Sequence, residues 1–240
     1  MEIFVDRDGS KLWTVSRGTG LPLLLCPGGP GCCDYLGPVA ELLDQTAQVI
    51  RFDPRGCGRS DRMPPYNVQT CLADIENIRR YYQFDRWIVA GHSWGADLAL
   101  IYALHYPATT LGLVCLAGGR IHNDREWHEV YRQKRDQGLE TIPAHEYPPN
   151  LDVNEQVNRS WKQYIQRSTL LKELSTLRCP ALFLYGDQDI RPSWPVEQVV
   201  NLLPNAHLEI ITGANHYIWF THSQQVKTLV TGFVQRLTDL

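Results

Sequence analysis

The feature that most constrains this chain is a unit repeated along it: a short apolar run, a Gly- or Pro-rich break, then a segment with helical spacing. Leu21 to Cys26 is almost purely apolar, ends in Pro27-Gly28-Gly29-Pro30-Gly31, and precedes Leu36, Val39, Leu42 and Leu43 at helical intervals. The unit recurs as Val49 to Phe52, the loop Asp53 to Ser60, and a helix over about 68–82. It recurs again as Trp87 to Ala90, the turn Gly91 to Gly95, and a helix from Ala96 to Tyr106 that Pro107 ends. Leu111 to Leu116, Ala181 to Tyr185 and His207 to Ile211 are further runs. A last helix over about 223–237 puts Val226, Leu229, Val230, Phe233 and Val234 on one face. Apolar runs without alternation belong to strands buried on both faces, as in a parallel sheet covered by helices. Strands alternating with helices therefore predict an α/β fold with a mostly parallel central sheet and helices on both faces. Segments 2–5 and 11–16 flank Asp8-Gly9, a hairpin signal, so the sheet is expected to be mixed.

Between about 120 and 175 the alternation stops. Asp124 to Asp136 is polar with Trp127, Val130 and Tyr131 on one stripe, and Gly138 is a good helix stop. After Pro143, Pro148 and Pro149 comes a second amphipathic stretch with Val157, Trp161, Tyr164 and Ile165. These predict two short helices making a small lid at about 120–175, inserted into a single domain spanning 1–240. The length of 240 residues and a hydrophobic fraction of 43% suit one core. The net charge is -3 with Lys and Arg scattered, which argues against nucleic acid as a partner. No apolar run approaches the roughly 20 residues that a membrane helix needs. The start of the chain carries no secretory h-region, and a cytoplasmic location is expected. The 7 cysteines are odd in number and none lie in paired C-x-x-C spacing, so neither a disulfide framework nor a zinc site is expected. Cys32 and Cys33 read as small loop filler.

Chemistry enters at Gly91-His92-Ser93-Trp94-Gly95, a G-x-S-x-G pattern. Its glycines allow a tight strand-to-helix turn that holds a serine strained and exposed at the carboxyl edge of a sheet. Chance supplies roughly 0.08 such matches in a chain this long; the weight comes from the apolar strand before it and the helix after it. A serine hydroxyl needs a base, and the base an orienting acid. Tyr185-Gly186-Asp187-Gln188-Asp189 and Gly213-Ala214-Asn215-His216 both follow late strands, on the same edge as Ser93. His216 is the expected base. His92 adjoins Ser93, so its side chain should diverge from the hydroxyl; His105 and His207 fall within a helix and a strand. His122, His128 and His145 lie in the lid, and His222 opens the last helix. Asp189 lies further into its loop and can reach across, whereas Asp187 suits tying the turn. The oxyanion donors are expected to be the backbone N–H groups of Trp94 and Gly29.

These residues resemble the α/β-hydrolase superfamily over nearly the whole chain. Within it, Pro27 to Gly31, Asp53 to Ser60 and Gly91 to Gly95 resemble the proline iminopeptidase branch. The resemblance implies an oxyanion N–H at Gly29, an acid at Asp189, three residues after Gly186, and a histidine at His216 in Gly-x-x-His. Pro27 stands where that branch usually has histidine, and the lid is much shorter than the helical cap associated with iminopeptidases. That cap supplies carboxylates for the substrate's amino terminus. Glu126, Glu129, Glu140, Glu146 and Glu155 lie in the lid but read as solvated charges rather than ammonium ligands.

The expected activity is hydrolysis of a small carboxylic ester or amide through an acyl-serine intermediate. An iminopeptidase-type aminopeptidase acting on short peptides is the alternative. Carbon–carbon bond hydrolysis and peracid formation are within reach of the same triad. A non-catalytic ligand-binding or sensor protein is the reading from another class. Epoxide hydrolases and haloalkane dehalogenases of this fold use a carboxylate nucleophile, against which Ser93 argues. No metal or cofactor is needed. Trp127, Tyr131 and Trp161 are offered as substrate-binding aromatics, although amphipathic helices more often bury such a stripe. Trp94 has a better claim, following the nucleophile.

Overall fold

The computed structural model describes residues 1–238, with Arg7 described by its backbone alone. Its elements run in the order β1 (Glu2–Arg7), β2 (Ser10–Arg17), β3 (Leu21–Cys26), α1 (Gly37–Leu43), β4 (Ala47–Phe52), α2 (Val68–Tyr81), β5 (Trp87–His92) and α3 (Trp94–His105). They continue with β6 (Thr110–Leu116), α4 (Arg125–Asp136), α5 (Leu151–Tyr164), α6 (Leu170–Thr176), β7 (Ala181–Gly186), α7 (Trp194–Leu202), β8 (Ala206–Ile211) and α8 (Trp219–Thr238). The strands form one sheet in the order β1-β2-β4-β3-β5-β6-β7-β8. β1 with β2 and β2 with β4 are antiparallel, and the other pairs are parallel. The hairpin expected at Asp8-Gly9 turns there at φ 51° and 79°, the two positive values that a type I′ turn needs.

The central strands feed two separate cores, which explains their unbroken apolar runs. Leu23 and Leu25 of β3, Ile88 and Ala90 of β5, and Val114 and Leu116 of β6 pack under α1 and α8. Their neighbours Leu24, Cys26, Val89, Leu113 and Cys115 turn to the other face, against α2 and α3. Successive side chains of a strand point to opposite faces, so a sheet dry on both sides shows no polar alternation. Some of the polar groups inside are matched to one another. Trp87 Nε1 donates to the Tyr102 hydroxyl at 3.2 Å, which donates to Glu76 at 2.8 Å.

Two helices escaped the sequence reading. α7 begins Trp194-Pro195, and proline in a first turn costs nothing because its N–H would be orphaned there anyway. Val196 and Val199 carry its buried face. α6 is seven residues, held by buried Leu170 and Leu174. α8 runs from Trp219 and breaks at His222 (φ -126°, ψ 38°), so a short first turn precedes the helix expected from about 223.

The lid comprises α4 and α5, each capped as its sequence allows. The Asp124 side chain accepts from Trp127 N–H, and the Asn150 side chain from the N–H groups of Asp152 and Val153. α5 is fastened to the loop after β3. Asn154 Nδ2 donates to the Pro30 carbonyl at 2.6 Å and Asn150 N–H to the Gly31 carbonyl at 2.8 Å. The approach is so close that a Cβ on Gly31 would lie 2.3 Å from the Asn150 carbonyl oxygen. Among the described residues, no helix is long and apolar enough to cross a membrane.

Candidate active site

Ser93 sits between β5 and α3 with φ 55° and ψ -122°, a backbone region that non-glycine residues rarely adopt. The flanking glycines are a packing requirement of this turn. A Cβ on Gly91 would meet the Gly95 carbonyl oxygen at 2.1 Å, and one on Gly95 the Cys26 carbonyl oxygen at 2.1 Å. The turn is pinned to β6 by Ser93 N–H donating to the Leu116 carbonyl at 2.8 Å. Trp94 opens α3, where backbone N–H groups have no intrahelical acceptor. Gly29, at φ 65°, lies in the loop after β3.

Asp189 follows β7, His216 follows β8, and both are buried. They meet directly: His216 Nδ1 donates to Asp189 Oδ2 at 2.6 Å. A carboxylate accepts only, so the proton sits on Nδ1 and Nε2 is left as the basic nitrogen. The other carboxylate oxygen, Oδ1, accepts from Arg191 N–H at 2.9 Å and from the Arg191 guanidinium at 3.2 Å. Burial pulls the His216 imidazole below its usual range and Arg191 adds to this, against the opposing pull of Asp189. Burial alone would raise the Asp189 carboxyl; His216 and Arg191 outweigh it and hold the group below its ordinary value. Asp187 takes a different part, accepting from Gly213 N–H at 2.7 Å and so tying the acid-bearing and base-bearing loops together.

His92, set aside as a base, turns out to be a tie. It is fully buried, and its Nε2 lies 3.0 Å from the His216 carbonyl oxygen. That carbonyl can only accept, so Nε2 carries the proton and Nδ1 accepts from the Tyr35 hydroxyl at 2.6 Å. Tyr35 in turn accepts from Gly28 N–H at 2.9 Å. Burial, followed by the neighbouring His216, keeps His92 well below the usual imidazole range, in keeping with this neutral tautomer. One directional chain thus links the glycine loop, the turn carrying Ser93 and the loop carrying His216. The Asp53–Ser60 motif braces the same region. Asp53 accepts from Asp34 N–H at 2.7 Å and from Arg59 N–H and Nε at 2.8 and 2.7 Å.

The lid reaches the acid loop. Glu140, expected to be solvated, has a side chain only 7% exposed, because Arg191 draws it in at 2.5 Å. The other lid glutamates singled out, Glu126, Glu129, Glu146 and Glu155, are exposed. One oxygen each of Glu140 and Asp189 and a ring nitrogen of His216 lie within 4.8 Å of one another. Tyr131 accepts from Arg191 Nη2 at 3.3 Å, and Trp127 Nε1 donates to the Pro192 carbonyl at 3.0 Å. Trp161 is buried with its ring edge-on to Trp94 at 5.1 Å. Beside Trp94 and Gly29 lies an apolar pocket whose walls include Phe52, Tyr66, Leu98, Val153 and Val157. Trp127, Tyr131 and Trp161 do not line it: the first two fasten the lid to the acid loop, and Trp161 backs Trp94.

Sequence reasoning missed Tyr35, the bridging part of His92, Arg191 and Glu140. Arg191 had a usable signal, lying two residues after Asp189. Glu140 had none, since it stands in an irregular loop and its partner lies 51 residues away.

A family model described as alpha/beta hydrolase fold matches residues 22–144, half of the chain. A putative proline iminopeptidase of Mycoplasma pneumoniae is 32% identical over 121 residues, 49% of this chain and 39% of the relative. The chain thus spans about two-fifths of the length of that relative. The proline iminopeptidase of Lactobacillus delbrueckii subsp. lactis is 27% identical over 268 residues, covering 89% of this chain and 90% of the relative. The crystal structure of the proline iminopeptidase of Mycobacterium smegmatis superposes with a TM-score of 0.76 at 18% identity, covering 99% and 98% of the two chains. The chain belongs to the alpha/beta hydrolase fold family, and within it is similar to the proline iminopeptidase branch.

Proposed function

We propose that Ser93, His216 and Asp189 form a triad that hydrolyses a small carboxylic ester or amide through an acyl-serine intermediate. The observation that carries this reading is the buried 2.6 Å contact between His216 Nδ1 and Asp189, on the sheet edge where Ser93 is held in a strained turn. His216 Nε2 takes the Ser93 proton as Oγ bonds to the substrate carbonyl carbon. The N–H groups of Gly29 and Trp94 hold the oxyanion that forms. As the oxyanion collapses, the bond to the leaving group breaks and His216 returns its proton to that group. Water then attacks the acyl-serine with His216 as base, releasing the acid and restoring Ser93.

A peptidase reading has support in the three loops shared in sequence with the iminopeptidase branch and in the relatives bearing that name. Against it stands the state of the lid carboxylates: the one drawn into the site, Glu140, is already paired with Arg191. We therefore favour the ester or simple amide. The deciding experiment compares wild type with Ser93→Ala on a short-chain aryl ester and on an N-terminal proline arylamide. Ester turnover that vanishes in Ser93→Ala, without arylamide turnover, is the expected result. Strong arylamide turnover would promote the peptidase, and no turnover on either would point to a binding or sensor role.

A further inference from the structure

We propose that the pocket between Trp94, α2 and α5 receives the acyl half of the substrate, and that this half is a short, uncharged chain. The proposal rests on Ser93 as the acylated residue. It assigns the two ends of the substrate to opposite faces of the sheet.

The direction follows from the tetrahedral intermediate. Its carbon carries four groups: the Ser93 oxygen, the oxyanion, the leaving group and the acyl chain. The oxyanion belongs at Gly29 and Trp94, and both residues line the pocket. The leaving group must lie within reach of His216, which protonates it. His216 approaches from the α1 and α8 side. Its ring packs on His92 at 4.5 Å and Tyr217 at 5.2 Å, and Tyr217 and Trp219 belong to the core on that face. The pocket opens on the other face, where Phe52, Leu98 and Trp94 pack with the α2 and α3 core. Trp94, next to Ser93, lines it, whereas Ser93, His216 and Asp189 do not. With three substituents placed, the fourth, the acyl chain, points into the pocket.

The charge of the acyl group follows from the walls. They are mainly apolar, and the charged groups among them are Arg55 and Asp74. These two are joined by a two-pronged contact, Nη2 to Oδ1 at 2.6 Å and Nε to Oδ2 at 2.9 Å, with both side chains buried. The pair is electroneutral. An acyl group with an α-ammonium, as on a peptide's first residue, would enter without a carboxylate left to receive it, and burying an unmatched charge is strongly disfavoured. Size follows from the free interior, about 30 Å³. At about 10–15 Å³ per water on this measure, that is room for about two to three waters, which suits a short acyl chain rather than a long one. Val153 and Val157 of the lid helix bound it.

The test is kcat/KM on the 4-nitrophenyl esters of acetate, butyrate and octanoate, with 1-naphthyl butyrate varying the leaving group. Wild type, Val157→Phe, Val157→Ala and Ser93→Ala are compared. Wild type is expected to prefer acetate and butyrate over octanoate by about tenfold or more. Val157→Phe should cut butyrate relative to acetate by about tenfold, and Val157→Ala should move the optimum to longer chains. Neither should alter the naphthyl-to-nitrophenyl ratio. Should Val157→Phe fail to fold, the Val157→Ala shift decides the question. The assignment is overturned if the Val157 variants move the leaving-group ratio and leave chain length untouched. It is also overturned if proline 4-nitroanilide is cleaved as fast as butyryl 4-nitroanilide. Turnover surviving in Ser93→Ala would instead sink the acyl-serine reading itself, whatever the chain-length pattern.

Discussion

Asp189 shows how much a single side chain is asked to settle. Its Oδ1 is committed to two donors from Arg191, so only Oδ2 faces His216. In Asp189→Asn, the amide oxygen would take the Oδ1 position and the NH₂ would face Nδ1. His216 would then carry its proton on Nε2 and could not accept from Ser93. We expect kcat to fall by about 10⁴-fold with KM little changed; a loss under tenfold would show that the imidazole is oriented by something else. His216 itself sets the pH range. Burial holds its pKa below the usual 6.5, and only the neutral ring acts as base. Activity should therefore be gained as pH rises through a midpoint below 6.5 and persist above it. A kcat/KM profile with its acid limb centred above 6.5 would contradict this.

At the scale of elements, the lid is joined to the loop after β7 through Glu140 and Arg191, and that loop to the one after β8 through Asp187 and Gly213. The groups facing His216 are Asp189 and Arg191 from the loop after β7, Glu140 from the lid, His92 from β5, and the adjoining Tyr217. Glu140 favours the imidazolium and Arg191 disfavours it. Glu140→Gln should accordingly move the acid limb to lower pH, and Arg191→Gln should move it higher. Shifts in the same direction, or none, would reduce the Glu140–Arg191 pair to a structural clasp. The second fastening point, α5 on the glycine loop, predicts a stability effect. Gly31→Ala would place a methyl against the Asn150 carbonyl at a backbone φ of 95°. It should lower the stability by about 1–3 kcal/mol, read as a lower urea midpoint at unchanged slope. An unchanged midpoint would mean that α5 is free to move aside.

Across the whole molecule, what was legible in the sequence is what local pattern dictates. Apolar runs such as Leu21–Cys26 placed the sheet because both its faces are dry. The glycines at 91 and 95 announced the turn around Ser93 because no Cβ fits there. That the loops after β7 and β8 meet followed from strand order, since loops at the same edge of a parallel sheet converge; the choice of Asp189 over Asp187 rested on its place further into the loop and on the family resemblance. What was not legible depends on distance. Glu140 is buried by an arginine far along the chain, and Tyr35 and His92 act through a bond between a loop and the end of β5, 57 residues apart. α7 is a short helix whose buried face, Val196 and Val199, is too brief to show a clear period. Ser93 as the nucleophile is tested by titrating the protein with a fluorophosphonate while following aryl ester hydrolysis. Turnover should be lost in proportion to a single adduct, found on the peptide containing Ser93 and absent from Ser93→Ala. Turnover that survives complete labelling of Ser93, or an adduct mapped to another residue, would contradict it.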